Sequence, residues 1–239
     1  MAAMEESMPV AAVPKRQSSA PGRRSEPMPW LKPGIFLGAL TPLASIIWRA
    51  FDGGLSANPI AQIENELGLT ALIFLVASLV CTPARRLFDW AWASRIRREL
   101  GLFAFFYAVL HVLTYAILDR FMSLAVPDMT SLDSWRALGA YIVEDIYKRP
   151  YITIGFTAFV ALLPLALTST AGMIRRLGGK RWQLLHRLIY LAAIAGVVHY
   201  WWLVKADIRH PAGYGIIVGV LLAARVYWAR RTTRRLAQI

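Results

Sequence analysis

Residues 184–204 read LLHRLIYLAAIAGVVHYWWLV, a run of 21 residues in which Arg187 is the only fixed charge. A helix crossing a bilayer needs about 20 predominantly apolar residues, so the run is long enough to span. Within it lie His186 and His199. An ionisable group at membrane depth is costly, and such groups face a bundle interior where they serve a pathway, a counter-ion or a cofactor. Imidazole is also well suited to hold haem iron through a neutral nitrogen.

Five further stretches share the apolar character: Pro33–Trp48, Leu67–Pro83, Leu100–Ile117, Ile152–Leu167 and Tyr214–Trp228. The third carries His111. None has the strict alternation of a barrel strand, and charged or Gly- and Pro-bearing connections separate them. Hydrophobic residues make up 57% of the chain against 17% charged, with almost no amphipathic surface helix to solubilise six buried ones. The pattern predicts an all-α membrane protein, a six-transmembrane-helix bundle, and argues against a soluble helical protein.

Charge sets the expected orientation. The N-terminal tail and the exits of the second, fourth and sixth spans hold 20 of the 27 Lys and Arg residues; the opposite face holds the other 7 together with 9 of the 14 carboxylates. Lys and Arg accumulate in cytoplasmic loops, so both termini are expected in the cytoplasm. The net charge of +13 then needs no nucleic acid partner and suits an anionic lipid surface. Three regions are expected: a disordered cytoplasmic tail over 1–29, a transmembrane domain over 30–230, and a basic cytoplasmic tail over 231–239. Arg23 and Arg24 are followed by Ser-Glu-Pro-Met-Pro rather than an apolar core, so no cleaved signal is read there. Tyr200, Trp201 and Trp202 close the fifth span as an interfacial aromatic belt.

Cys81 is the only cysteine. That excludes an intramolecular disulfide, an iron–sulfur cluster and covalent haem attachment through Cys-x-x-Cys-His, so any haem is non-covalent, b-type. No Gly-x-Gly-x-x-Gly or phosphate loop is present, and reducing equivalents must come from a separate protein or a membrane quinol.

His186 and His199 are 13 residues apart. On one helix that is roughly 20 Å of axis and some 140° of rotation, so they cannot share an iron. Taking Arg98 and Arg181 as the cytoplasmic boundary, His111 and His199 lie 13 and 18 residues in, and His186 only 5. The expected pair is therefore His111 with His199 in the outer half of the membrane. His186 is left to support a second, inner haem with an unidentified partner, or an open or differently ligated site. His210, before Pro211 in a polar loop, receives no cofactor role.

A resemblance follows from the residues around these histidines. Arg97-Arg98-Glu99-Leu100-Gly101-Leu102 leads to His111; Lys148-Arg149-Pro150-Tyr151-Ile152 precedes Gly155; and Leu177-Gly178-Gly179-Lys180-Arg181-Trp182-Gln183 precedes Leu185-His186-Arg187-Leu188-Ile189-Tyr190-Leu191 and His199. The chain resembles the MsrQ (YedZ) family of the ferric reductase-like transmembrane group over roughly residues 30–230. That likeness implies a haem b electron-transfer subunit of the bacterial inner membrane, with His111, His186 and His199 as haem ligands. It implies electrons drawn from the quinone pool or a cytosolic flavin reductase and passed to MsrP, a periplasmic molybdopterin enzyme that reduces methionine sulfoxide in damaged proteins. FMN is implied as a further cofactor, with no sequence feature that locates it. The wider group carries two histidines on each of two helices, whereas here Arg97 stands 14 residues before His111.

Around these ligands, Arg97, Arg98, Lys180 and Arg181 form a cytoplasmic cluster able to meet haem propionates, a flavin phosphate or an acidic donor protein, or simply lipid headgroups. Lys148 and Arg149 place positive charge on the outer side, for propionates or a docking partner, while Pro150 starts the fourth span. The alternatives to a haem conduit are a quinol–cytochrome b of another family with a different acceptor, and a histidine-based proton-coupled carrier.

Overall fold

The computed structural model describes residues 29–124, 127–204 and 207–236. The expected N-terminal tail lies almost wholly outside these residues. Within them the chain is helical, without strands: α1 (Leu31–Phe51), α2 (Pro59–Phe88), α3 (Ala91–Leu113) continuing in a π-helical segment (Thr114–Phe121), α4 (Leu132–Lys148), α5 (Pro150–Leu167), α6 (Ala171–Leu177), α7 (Gly179–Leu185), α8 (Leu188–Leu203) and α9 (Arg209–Leu236). Six helical stretches among the described residues are long and apolar enough to span a membrane, one for each apolar run of the sequence. The last helix runs on to Leu236, into the segment read as a basic tail.

Local chemistry sets the helix ends. Asn58 accepts the N–H of Ala61 and Pro59 fills the first helical position of α2, a start that needs no donor there. Pro150 opens α5 in the same way. Asp89 turns the chain between α2 and α3 in the left-handed region, which Asp tolerates better than most residues. Gly178, at φ +74°, makes the corner between α6 and α7 that a side chain would strain.

The helices alternate in direction, giving a proximal end at the α2–α3 turn, α6 and α7, and a distal end at the α1–α2 loop, α4 and the α8–α9 turn. The most extensively packed pairs are α2 with α3 and α5 with α8. Between them lies a core of Leu72, Leu75, Leu79, Leu162 and Val197, with Ala104, Ala192 and Ala193 fully buried. Small residues let helices approach closely where lipid removes the hydrophobic contrast that drives packing in water. Phe36 and Leu37 on α1 and Ile216 and Val220 on α9 point outward and are exposed, as helices facing lipid require.

Beside a proline inside a span, a polar group from another helix can bridge the backbone ladder. In α1, which holds Pro42, the buried Tyr107 hydroxyl donates to Ala39 O at 2.6 Å and accepts from Leu43 N at 3.3 Å. It thus replaces one rung of the α1 ladder and ties that helix to α3.

The sequence patterning left residues 119–148 as an outer connection. The structure instead forms α4 there, capped by Ser131, which accepts from Asp133 N. Leu138, Ile142, Asp145 and Ile146 face inward while Leu132, Val143 and Tyr147 are exposed. Asp145 anchors the helix: its carboxylate stands 2.6 Å from Arg120 Nε and 3.0 Å from Arg149 Nε, and accepts from Tyr115 Oη at 2.7 Å. The Arg120 contact is charge pairing rather than an aligned hydrogen bond.

Candidate functional site

His111 lies in the last turn of α3, immediately before the helix widens to π geometry at Thr114. Such widenings recur at functional sites, because the extra residue re-aims the side chains around it. His199 lies in α8, one turn from its distal end. Their ring centroids are 6.1 Å apart, with the planes crossed at 74°.

Each ring is fixed from behind. His111 Nδ1 is 2.9 Å from Glu64 O on α2, and His199 Nδ1 is 2.7 Å from Tyr151 O on α5. A carbonyl can only accept, so each ring carries its proton on Nδ1 and keeps the lone pair on Nε2. This second contact is the usual companion of a metal-ligating histidine, since it sets tautomer and ring orientation. Gly68 and Gly155 leave room for the rings on the helices that supply these carbonyls.

His186 sits elsewhere. The fifth span is broken: α7 ends at Leu185, His186 is its C-cap, and α8 begins at Leu188. The single-helix wheel that placed His186 and His199 some 140° apart therefore does not apply. His186 Nδ1 bonds Trp182 O of its own helix at 3.1 Å, its ring stacks on Trp182 at 3.9 Å, and its buried Nε2 makes no well-formed hydrogen bond among the described residues. Trp182 is itself held by Thr168 O at 2.9 Å. Arg97 lies within electrostatic reach of His186, Tyr190 and Arg225.

The other sequence candidates spread over both ends. Arg98 is exposed 3.9 Å from Glu99, and Lys180 and Arg181 are exposed on α7. At the distal end Lys148 pairs with Glu144 at 2.5 Å, and that hydrogen bond raises its ammonium above the ordinary value. Arg149 pairs with Asp145 and stands two residues from the carbonyl that holds His199. His210 is exposed at the start of α9. Cys81 is buried, its thiol donating to Ala77 O at 3.3 Å.

The profile of the ferric reductase-like transmembrane component family matches residues 67–197. A protein of Deinococcus radiodurans is 47% identical over 89% of this chain and 97% of its own length, and one of Rhodospirillum rubrum is 48% identical over 84% and 89%. A third, from Herminiimonas arsenicoxydans, is 46% identical over 83% and 85%. The chain belongs to the MsrQ family. All three MsrQ relatives are named as the haem-binding subunit of a protein-methionine-sulfoxide reductase.

The histidines fit such a group. With their ring centres 6.1 Å apart and both Nδ1 atoms committed to carbonyls, His111 and His199 could hold the metal of such a group through their Nε2 atoms. Among the described residues no cluster of three or more His, Cys, Asp or Glu comes together, so a closed protein-only metal site is not formed there. A macrocycle supplies its own equatorial nitrogens and asks the protein for axial ligands alone. The buried Nε2 of His186, without a well-formed hydrogen bond among the described residues, could serve as one ligand of such a group.

Sequence reasoning missed the glycines facing His111 and His199 and the two carbonyls behind them. The signal was present as Gly68 four residues after Glu64 and Gly155 four after Tyr151, one helical turn in each case. It becomes readable only once the neighbouring helices are known.

Proposed function

We propose that this chain is a haem b electron-transfer subunit that carries electrons across a bacterial inner membrane to MsrP, a periplasmic molybdopterin methionine-sulfoxide reductase, for the repair of oxidised proteins. The observation that carries this reading is the His111–His199 pair: two imidazoles on different helices, 6.1 Å between centres, each with Nδ1 committed to a carbonyl.

The residues divide the work. Glu64 O and Tyr151 O hold the Nδ1 protons, which makes each Nε2 a better donor and fixes the direction in which it points. Haem, when bound, supplies a one-electron carrier. The α2, α3, α5 and α8 core around Leu75, Leu79 and Ala193 keeps water from the interior between the two ends. His186, at the proximal end, supports a second centre, so that carriers stand at successive depths. With 20 of the 27 Lys and Arg assigned to the proximal side, that side is cytoplasmic and the His111–His199 pair lies toward the periplasm. Quinol or a cytosolic flavin reductase supplies the electrons in this reading. FMN enters it through the family likeness alone.

The test is the absorption spectrum of the purified chain before and after dithionite, for the wild type, His199→Ala and His111→Ala. The wild type is expected to show Soret and α bands that sharpen on reduction, and each variant to lose the haem of the pair. A colourless wild type would overturn the haem reading, and wild-type haem content in both variants would overturn the pairing.

A further inference from the structure

The same device holds both histidines of the distal pair. On α2 the Glu64 carbonyl takes His111 Nδ1, and one turn on is Gly68; on α5 the Tyr151 carbonyl takes His199 Nδ1, and one turn on is Gly155. A Cβ at Gly155 would stand 2.7 Å from His199 Nδ1 and 2.8 Å from its Cε1. At Gly68 a Cβ would stand 3.0 Å from His111 Nδ1 and 3.1 Å from its Cε1.

Helix geometry does not ask for glycine at either place. Among the described glycines only Gly53 and Gly178 have positive φ, so alanine would suit the backbone at 68 and 155. Glycine inside a helix costs about 1 kcal/mol relative to alanine. What both positions share is an imidazole lying flat against the missing side chain. Gly101 on α3 and Gly219 on α9, also inside spans, have nothing within 4 Å of where a Cβ would be.

We infer that Gly68 and Gly155 are positioning residues that set the rotation of the two imidazole planes, and through it the electronic state of an iron held between them. This rests on the haem reading above. Each ring is constrained at three places: its own Cβ tether, the Nδ1–H bond to the carbonyl, and the glycine it lies against. The first two leave the ring free to swing about the line joining them, and the third stops that swing. The resulting planes cross at 74°. Parallel axial imidazoles raise the same iron d orbital and separate it from its neighbour, whereas crossed planes act on both and keep them close in energy. A ferric centre of the second kind gives a highly anisotropic low-spin electron paramagnetic resonance signal. Orientation of the axial ligands is thus one of the protein's levers on the centre.

The two positions should differ in degree. At Gly155 a methyl group would overlap the His199 ring and force it to turn, while at Gly68 the His111 ring need yield only a few tenths of an ångström.

The test takes the full chain purified with its haem and records the ferric low-temperature spectrum and haem content of the wild type, Gly155→Ala, Gly68→Ala and the control Gly101→Ala. The signal that disappears in His199→Ala identifies the distal pair. That signal is expected to be highly anisotropic in the wild type and in Gly101→Ala, displaced in Gly68→Ala, and displaced further or lost with its haem in Gly155→Ala. Should Gly155→Ala fail to fold, Gly68→Ala decides the matter. Wild-type signals from the glycine variants would overturn the inference and leave the haem reading standing; a colourless wild type would overturn the haem reading itself.

Discussion

Arg225 donates to the carbonyl oxygen of Leu79 at 3.0 Å, the acceptor that Pro83 leaves without its helical N–H. The same guanidinium reaches Thr82 Oγ1 at 3.1 Å and Tyr190 Oη at 2.5 Å, and lies 5.0 Å over the Tyr190 ring. One side chain thereby joins α9 to α2 and α8, at the point where proline interrupts α2. Its buried Nε finds no acceptor among the described residues, so the clamp is not fully satisfied.

Replacing Arg225 with Leu should therefore loosen α9. Hydrogen bonds from charged donors contribute about 1.5–3 kcal/mol each in soluble proteins, and those measured between membrane helices average about 0.6 kcal/mol. Three of them suggest a loss on the order of 2 kcal/mol. Thermal unfolding of the detergent-solubilised chain should show a lower midpoint, with Arg225→Lys intermediate because an ammonium cannot fork across three acceptors. An unchanged or raised midpoint in the Leu variant would mean that burying the cation costs as much as its bonds return.

Asp145 is the corresponding anchor at the distal end, tied to Arg120, Arg149 and Tyr115 with its side chain 7% exposed. Removing one partner of a buried ion pair costs about 3–5 kcal/mol. Arg120 keeps Asp119 at 3.4 Å, which places Asp145→Ala at the lower end of that range. The effect should be local. Cleavage within α4 by a dilute protease should quicken about a hundredfold, one decade for each 1.4 kcal/mol, while cleavage of the α2–α3 turn stays at the wild-type rate. Equal protection of α4 in both proteins would contradict the anchoring role.

The six spans were readable because each is a nearly unbroken apolar run, and membrane depth leaves few other folds for such runs. The His111–His199 spacing had a weaker sign, the count of residues from Arg98 and Arg181 to each ring. Helix α4 was not readable. Leu138, Ile142 and Ile146 stand at helical spacing, but Asp133, Arg136, Glu144, Asp145 and Lys148 dilute the run until it looks like a connection between spans. Its inward face is fixed by contacts about 25–30 residues away in the chain, Asp145 with Arg120 and Tyr115 on the π-helical segment. The break at His186 was hidden for the opposite reason. Residues on both sides are apolar and helix-forming, so periodicity carries straight through the corner between α7 and α8.

Orientation gives a third prediction. A reporter fused after Ile239 should be active only as a cytoplasmic fusion, and one inserted within 119–148 only as a periplasmic one, because 20 of 27 Lys and Arg are assigned to the side of the termini. A periplasmic signal from the C-terminal fusion would reverse the proposed direction of electron flow, since the His111–His199 pair would then face the cytoplasm.

The chain should also relay electrons without reducing methionine sulfoxide itself. Sulfoxide reduction needs a centre that accepts the oxygen atom, such as molybdenum or an activated thiol with a second thiol to resolve the oxidised intermediate. Cys81 is the only cysteine, and it is buried in α2 with its thiol turned to Ala77 O. At the distal end the described carboxylates are engaged in ion pairs or scattered, and no group of three metal-binding side chains forms among the described residues. Activity toward methionine sulfoxide should therefore require a second protein docked at that end. The measurement is reoxidation of the dithionite-reduced chain, followed through its haem bands, with excess dithionite removed. Methionine sulfoxide alone should leave the reduced spectrum unchanged, while sulfoxide plus the purified molybdopterin partner should restore the oxidised one. His199→Ala, lacking the haem of the distal pair, should fail to pass electrons even with the partner present. Rapid reoxidation by the sulfoxide alone would show a catalytic centre in this chain, and transfer by His199→Ala at the wild-type rate would show that electrons leave by another route.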